Sequence, residues 1–228
     1  MDQKTLDSYQ AHAAELAERY SQVGSGGIAR WFDRAFGGLG TILDVGCGSG
    51  RDLNTLRQMG FEAVGIDPCQ AFLAEAARRY PCTQGYLRQG ALPALDNLQA
   101  EGFDGVLCSA VLMHLPEEEL FDALFALRRV LRPRGRLLLS VPAPSTDPDK
   151  QTPESEAIRD ERGRLFTPLA PERLIFLLER IGFVLLERET TPDSLGRAER
   201  LWVTLLLERS DEGHLRALDR IEAILTQD

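Results

Sequence analysis

The chain has 228 residues, of which 35 are acidic and 26 basic, so its formal net charge is −9, and 43% of its residues are hydrophobic. This balance is typical of one globular domain with a sizeable core. No uncharged apolar run reaches the roughly 18 residues that a membrane span needs, and the first ten residues lack the basic and apolar regions of a secretory signal.

The acidic excess is spread evenly along the chain. Residues 1–148 carry 18 acids and 14 bases (net −4), and residues 149–228 carry 17 acids and 12 bases (net −5). Binding of extended nucleic acid depends on clustered cations that neutralise phosphates. We therefore expect a small-molecule partner, with no extended nucleic acid and no membrane.

The cysteines show no CxxC or zinc-like spacing; they are Cys47, Cys69, Cys82 and Cys108. Free thiols in a reducing compartment are the simplest interpretation of this pattern. We therefore expect a cytoplasmic protein without a metal site.

The first 142 residues divide into two zones. Residues 1–40 are predicted to form an N-terminal helical cap, interrupted by glycine-rich breaks at 24–27 and 37–40. Residues 41–142 alternate short apolar runs with amphipathic stretches, which is typical of βαβ units around a parallel sheet. The predicted strands are 41–45, 61–67, 83–88, 103–109 and 136–141, and the predicted helices are 51–59, 69–80 and 117–131.

The remaining residues begin with a long connection. Residues 143–170 are rich in Pro, Asp, Glu and Arg, and long connections of this kind commonly cover a site, so this segment is a candidate lid. The pattern then predicts a helix at 171–180, strands at 182–190 and 200–208, and an amphipathic helix at 212–225. The last two strands are joined without a helix and should pair antiparallel. We expect one α/β domain over residues 1–228, built on a doubly wound, Rossmann-like sheet.

A glycine-rich turn follows the first predicted strand. Gly46, Gly48 and Gly50 lie between that strand and the next helix, where they allow the backbone to pass close to a ligand. Asp67 ends the second strand, 21 residues after Gly46, where a carboxylate can accept both hydroxyls of a ribose. Together they predict a ribose-containing ligand at the carboxyl ends of the strands.

The residues around the turn narrow the choice of ligand. Arg51 stands where a dinucleotide-binding turn needs a small residue, and no G-K-[ST] triplet is present to cradle a phosphate. Asp44, two residues before Gly46, would repel a pyrophosphate. A ligand with an ammonium group and no phosphate suits the site better, and S-adenosylmethionine has a ribose, an adenine and an α-ammonium.

The sequence here resembles the class I S-adenosylmethionine-dependent methyltransferases. The matching segments appear in the expected order and are ILDVGCGSGRD (42–52), VGIDPCQ (64–70), FDGVLCSAVLMHLP (103–116) and LRRVLRPRGRLLLSVP (127–142). The resemblance implies a seven-stranded sheet of order 3-2-1-4-5-7-6, with the last strand antiparallel. It also implies S-adenosylmethionine as the cofactor.

The resemblance further assigns cofactor-binding residues. It places Gly46, Gly48 and Gly50 around the methionine end, with Asp44 near the amino group, Asp67 at the ribose and Pro68 against the adenine. Cys47 and Arg51 of the same turn are also expected to bind the cofactor. Gly90, Ala91 and Leu92 fall where the family reads the adenine amino group, often with an acid that this chain lacks there. Ser109 and Ala110 end the fourth strand, beside the expected methyl group.

Several other side chains have two interpretations. His114 is either a general base toward the acceptor or a polar residue that fixes the start of the next helix, and we prefer the second role. Arg159, Arg162 and Arg164 could meet an anionic acceptor, but we interpret them as a solvated face. The tyrosines Tyr9 and Tyr20 either cover the cofactor or pack in the core.

The predicted function is transfer of a methyl group from S-adenosylmethionine to a small-molecule acceptor. The acceptor pocket is expected between the N-terminal helices, the loop after Ser109 and the 143–170 connection. One alternative is a non-catalytic protein of the same fold that binds S-adenosylmethionine or S-adenosylhomocysteine. The other is a nucleotide-dependent oxidoreductase, which Asp44 and Arg51 disfavour.

Overall fold

The computed structural model describes residues 1–22, 27–143, 157–196 and 200–210. Its helices are α1 (Gln3–Ser21), α2 (Phe32–Phe36), α3 (Arg51–Gln58), α4 (Gln70–Arg79), α5 (Leu120–Val130) and α6 (Pro171–Arg180). Its strands are β1 (Thr41–Val45), β2 (Glu62–Asp67), β3 (Leu87–Gln89), β4 (Phe103–Ser109), β5 (Leu131–Pro142), β6 (Ile158–Arg159), β7 (Leu165–Phe166), β8 (Phe183–Pro192) and β9 (Leu201–Arg209). Short 3₁₀ turns include Ile28–Trp31 and Leu112–His114.

Seven strands form one sheet of order β3-β2-β1-β4-β5-β9-β8. The first five are parallel, and β9 runs antiparallel to both β5 and β8. This order confirms the predicted doubly wound fold, since β8 and β9 are the sixth and seventh predicted strands. The reversal of strand order between β1 and β4 creates a crevice at their carboxyl ends.

Some element boundaries differ from the predicted ones. β3 is shorter than predicted because Pro81–Thr83 form a 3₁₀ turn, in which the Thr83 hydroxyl donates to the Tyr80 carbonyl at 2.8 Å. β5 begins directly after α5, five residues earlier than predicted. The small antiparallel pair of β6 and β7 lies inside the predicted connection, where we expected no strands. The predicted helix at 212–225 lies outside the described residues.

Both faces of the sheet are buried, as a doubly wound fold requires. Along β1, Leu43 and Val45 point to the face covered by α5 and α6, whereas Ile42 points to the opposite face, covered by Phe32 and Phe36 of α2. Alternate residues of a strand point to opposite faces, so a short apolar run fills both layers. Such packing contributes roughly 1.5–3 kcal/mol for each fully buried large apolar side chain.

A third apolar cluster fixes α1 across the end of the sheet. Ala13 and Leu16 of α1 pack on Cys69 and Phe72 at the start of α4. Asp2 caps α1 by accepting a 2.8 Å hydrogen bond from the Thr5 amide. This packing holds α1 above the carboxyl ends of β1 and β2. In the part of the chain that the structure describes, no helix is long and apolar enough to cross a membrane.

Candidate active site

A cavity of about 280 Å³ opens at the carboxyl ends of the parallel strands. The turn after β1, the end of β2 and the loop after β4 form one wall, and α1 and the β7 strand form another. Eleven of the thirteen predicted cofactor-binding residues line it, namely Gly46, Cys47, Gly48, Arg51, Asp67, Pro68, Gly90, Ala91, Leu92, Ser109 and Ala110. The tertiary structure therefore brings together residues that span 65 positions of the sequence.

The glycines of the turn have different roles. All three have positive φ angles of 72° (Gly46), 53° (Gly48) and 81° (Gly50), which is a conformation that glycine adopts without strain. A Cβ on Gly46 would collide with Val111, and one on Gly50 would lie 2.7 Å from the Cβ of Ala76. Of these three glycines, Gly48 alone would direct a Cβ into open space. Gly50 does not line the cavity and instead lets α3 pack closely on α4.

Asp67 is held rigidly at the cavity wall. Its Oδ2 accepts a 2.9 Å hydrogen bond from the Gly48 amide, and its Oδ1 accepts a 2.8 Å bond from the Cys69 amide. Burial raises the pKa of Asp67 to about 6, although the two amides act in the opposite direction. The side chain is therefore ionised at neutral pH. A carboxylate can accept about four hydrogen bonds, so acceptor capacity remains for a ligand.

Asp44 lies beneath the cavity and not on its wall. The side chain is 2% exposed, and its Oδ2 is buried without a hydrogen-bond partner. Burial raises the pKa of Asp44 well above its usual value, and the nearby charges of Asp52 and Asp67 raise it further. Arg51 opposes this effect but hydrogen-bonds Asp52 at 3.0 and 2.9 Å. An unpartnered buried carboxylate oxygen favours a cationic donor nearby.

His114 lines the cavity and is 5% exposed. Its Nδ1 is 2.7 Å from the Leu165 carbonyl, and its Nε2 is 2.8 Å from the Tyr9 hydroxyl. Burial lowers its pKa to about 4, so the imidazole is neutral at physiological pH. The ring also packs edge-on against Phe166, with centroids 4.9 Å apart.

The three arginines of the predicted solvated face divide into two groups. Arg159 and Arg162 are exposed or partly exposed and pair with Asp2, which caps α1, and with Glu15 of α1, at 2.8 and 2.7 Å. Arg164 instead lines the cavity, where it contacts Tyr9, so the interpretation of this residue as part of a solvated face was wrong. Its pairing with Asp160 at 2.6 Å compensates its charge inside the wall.

The cavity is also lined by residues that the sequence analysis missed. They come from the 3₁₀ turn before α2 and from the β8–β9 hairpin, and include Arg30, Trp31, Thr191, Arg200, Trp202 and Thr204. β9 inserts beside β5 and pairs Thr204 with Ser140, which brings the hairpin to the crevice. No local motif marks these positions, because their role depends on the order of strands in the sheet.

Several known proteins are similar to this chain in sequence. A family model described as a methyltransferase domain matches residues 43–139. The tRNA U34 carboxymethyltransferase of Serratia proteamaculans is 35% identical over 147 residues, which are 63% of this chain and 45% of that protein. Its counterpart in Edwardsiella ictaluri is 36% identical over 146 residues, 63% of this chain and 44% of that protein. The chain spans about half the length of the curated relatives that it matches.

Solved structures share the fold at low sequence identity. The Burkholderia thailandensis 1,6-didemethyltoxoflavin-N1-methyltransferase, solved with 1,6-didemethyltoxoflavin and S-adenosylhomocysteine, aligns with a TM-score of 0.73 at 19% identity, over 91% of this chain and 88% of that one. The [4+2]-cyclase SpnF aligns with a TM-score of 0.64 at 16% identity, over 90% and 95%. Residues 43–139 of this chain match the methyltransferase-domain family, and its seven-stranded sheet has the fold of these solved structures.

Proposed function

We propose that the protein binds S-adenosylmethionine and transfers its methyl group to a small-molecule acceptor. The observation that carries this proposal is the position of Asp67, a buried carboxylate held by two backbone amides on the wall of a cavity that also contains the glycine turn. A ribose needs such an acceptor for its hydroxyls.

The donor set of the cavity fits this cofactor. Asp67 would hold the ribose, Pro68 and Leu92 would contact the adenine, and the turn around Gly48 would leave room for the methionine part, since a Cβ there meets open space. The buried Oδ2 of Asp44, two residues before Gly46, has no hydrogen-bond partner and favours a cation nearby. When bound, S-adenosylmethionine supplies a methyl group activated by its sulfonium.

The residues of this chain then have mainly to position the acceptor and keep out water. The α1 helix and the segment of Arg159–Thr167 form one side of the cavity and are fastened to each other by side-chain hydrogen bonds. Alignment of two reactants in such a site can supply several kcal/mol of the barrier reduction.

A small acceptor is supported by the cavity and by the charge. The site is a cavity of limited volume, and the chain has a net charge of −9 with no basic half. A tRNA acceptor is the second candidate, because two relatives at 35–36% identity are named as tRNA U34 carboxymethyltransferases. One of the structural neighbours is a cyclase, so this fold alone does not determine the reaction.

The experiment has a binding step and a transfer step. Calorimetry with S-adenosylhomocysteine should show binding by the wild-type protein and at least tenfold weaker binding by Asp67→Asn, with NAD as a control that does not bind. Methyl-labelled S-adenosylmethionine is then incubated with a metabolite extract and, separately, with bulk tRNA.

Label in the small-molecule fraction supports the proposal. Label in the tRNA alone would replace the small acceptor with the second candidate. Binding without transfer to either fraction would favour a non-catalytic cofactor-binding protein, and tight NAD binding would contradict the whole assignment.

A further inference from the structure

Three groups at the acceptor end of the cavity form a chain of hydrogen bonds. The Leu165 carbonyl is 2.7 Å from Nδ1 of His114, and Nε2 of His114 is 2.8 Å from the Tyr9 hydroxyl. His114 is nearly buried, and Tyr9 and His114 both line the cavity. These two hydrogen bonds therefore connect the cavity to a backbone carbonyl through the side chains of Tyr9 and His114.

The direction of each hydrogen bond follows from the Leu165 carbonyl. A carbonyl oxygen can only accept, so Nδ1 of His114 carries the proton and donates it. In the neutral imidazole Nε2 is then an acceptor, and the Tyr9 hydroxyl donates to it. The Tyr9 oxygen is left with its own acceptor lone pairs, one of which is approached by Nη1 of Arg164 at 3.5 Å. The other is available to a donor in the cavity.

Burial keeps both groups of this pair neutral at rest. Burial is the main reason that the pKa of His114 is low, the Arg164 charge lowers it further, and Asp160 and Asp2 partly oppose this effect. Burial also raises the pKa of Tyr9, and nearby Tyr20 adds to this effect. The neutral imidazole can therefore receive a second proton at Nε2 during the reaction.

We propose that Tyr9 and His114 form a two-residue proton relay, and that the acceptor is an O–H or N–H group on a flat ring. This inference rests on the proposed methyl transfer and specifies the acceptor class of the same site. Tyr9 is the residue that touches the acceptor, and His114 acts through Tyr9.

The step balances in atoms and charge. A lone pair on the acceptor oxygen or nitrogen forms the bond to the methyl carbon, while the electron pair of the breaking carbon–sulfur bond stays on sulfur. The acceptor proton passes to the Tyr9 oxygen as the Tyr9 proton passes to Nε2 of His114. The cavity loses the positive charge of the sulfonium and gains that of the imidazolium, so its net charge is unchanged. Release of the imidazolium proton to water restores the resting pair.

The walls of the acceptor end favour a ring. Phe166, Trp31 and Trp202 line the same cavity and provide flat apolar surfaces, and Trp202 is held by a 2.7 Å hydrogen bond from its indole nitrogen to Asp193. Aromatic side chains pack favourably on flat rings, in offset-stacked or edge-on arrangements. Phe166 contacts His114 directly, which places a ring on this surface next to the relay.

The test uses the full chain, methyl-labelled S-adenosylmethionine and three ring probes: catechol (O–H), benzimidazole (N–H) and thiophenol, which is largely ionised at pH 8. The variants are Tyr9→Phe, His114→Gln and the double variant. Tyr86→Phe is the matched control, because Tyr86 is 41% exposed, stacks on Arg57 and does not line the cavity.

We expect the wild-type protein to methylate catechol or benzimidazole. Tyr9→Phe should lower that rate about 100-fold or more, as loss of general-base catalysis does, but change the thiophenol rate less than threefold, because a thiolate needs no base. The double variant should be no slower than Tyr9→Phe alone, since groups that act as one unit are not additive. Tyr86→Phe should behave as wild type.

Each contrary result has a definite meaning. No transfer by the wild-type protein to catechol or benzimidazole overturns the acceptor class, and an equal loss on all three probes overturns the relay in favour of a structural role. An independent readout is the ¹⁵N spectrum of His114, in which we expect a proton on Nδ1 and a free Nε2; a proton on Nε2 at pH 7.5 would overturn the relay as well. Failure to bind S-adenosylhomocysteine is the failure of the proposed function and is measured separately by calorimetry.

Discussion

The backbone amide of Gly48 donates a 2.9 Å hydrogen bond to Oδ2 of Asp67, which ties the turn after β1 to the end of β2. The Cys69 amide holds the other carboxylate oxygen at 2.8 Å. The carboxylate is thus fixed by the backbone on both sides and needs no rearrangement to meet a ribose. Its burial has an energetic consequence, because the pKa rises to about 6.

The first prediction concerns the pH dependence of cofactor binding. If ribose hydroxyls bind the ionised form of Asp67, protonation competes with binding, and affinity falls as the pH drops through about 6. S-adenosylhomocysteine should bind about tenfold more weakly at pH 5 than at pH 7.5, by calorimetry. Asp67→Asn should bind weakly at both pH values. An equal pH effect in wild type and variant would exclude Asp67 as its source.

The second prediction separates two glycines of the same turn. Gly50→Ala should destabilise the fold by several kcal/mol, because the new Cβ would lie 2.7 Å from the Cβ of Ala76 and φ is positive. Gly48→Ala should cost about 1–2 kcal/mol, because only the positive φ opposes it. Urea unfolding measures both effects. Gly48→Ala should also weaken the binding of S-adenosylhomocysteine to the folded protein. The methyl group of the new alanine would occupy open space beside the cavity.

The third prediction is a pair of opposite pH effects on stability. The pKa of His114 falls from 6.5 to about 4 on folding, so the unfolded chain binds the proton and the free energy of unfolding decreases as the pH drops from 6.5 to 4. The pKa of Asp67 rises from 3.8 to about 6 on folding, so its contribution to the free energy of unfolding decreases as the pH rises from 3.8 to about 6. Each effect amounts to about 3 kcal/mol.

Because the two effects nearly cancel in the wild-type protein, single variants should reveal them. Between pH 4 and 6 the stability of His114→Gln should fall relative to wild type as the pH rises, and that of Asp67→Asn should increase. Urea unfolding at half-unit pH steps gives the comparison. Curves that stay parallel to wild type would show that neither group titrates differently in the folded chain.

The fourth prediction concerns the attachment of the β7 strand to α1. The Leu165 amide donates a 2.8 Å hydrogen bond to the hydroxyl of the fully buried Thr5. Thr5→Val keeps the shape but leaves this amide without a partner, which should cost about 1–3 kcal/mol. Thr55→Val is the control, since its hydroxyl only donates to the Arg51 carbonyl within α3, and we expect a change below about 0.5 kcal/mol. Equal losses in the two variants would contradict this role for Thr5.

Much of the cofactor end was predictable because its signals are local. Gly46, Gly48 and Gly50 mark the turn because they lie directly after a strand, and Asp67 ends the next strand at a spacing that one βα unit determines. The alternation of short apolar runs with amphipathic stretches predicted the sheet, whose order agrees with the resemblance. Asp44 was less predictable, since its distance from the cavity wall depends on how α3 and β1 pack around it.

By itself the sequence determined the class of fold, the glycine turn and the acid at the end of β2, because each depends on residues close together along the chain. Only the tertiary structure decided which polar groups meet beside the cavity at His114. Tyr9 and His114 are 105 positions apart, and His114 and Leu165 are 51 apart. Their hydrogen bonds exist because apolar packing holds α1 across the sheet, and no periodic pattern encodes which polar groups such packing brings within 3 Å.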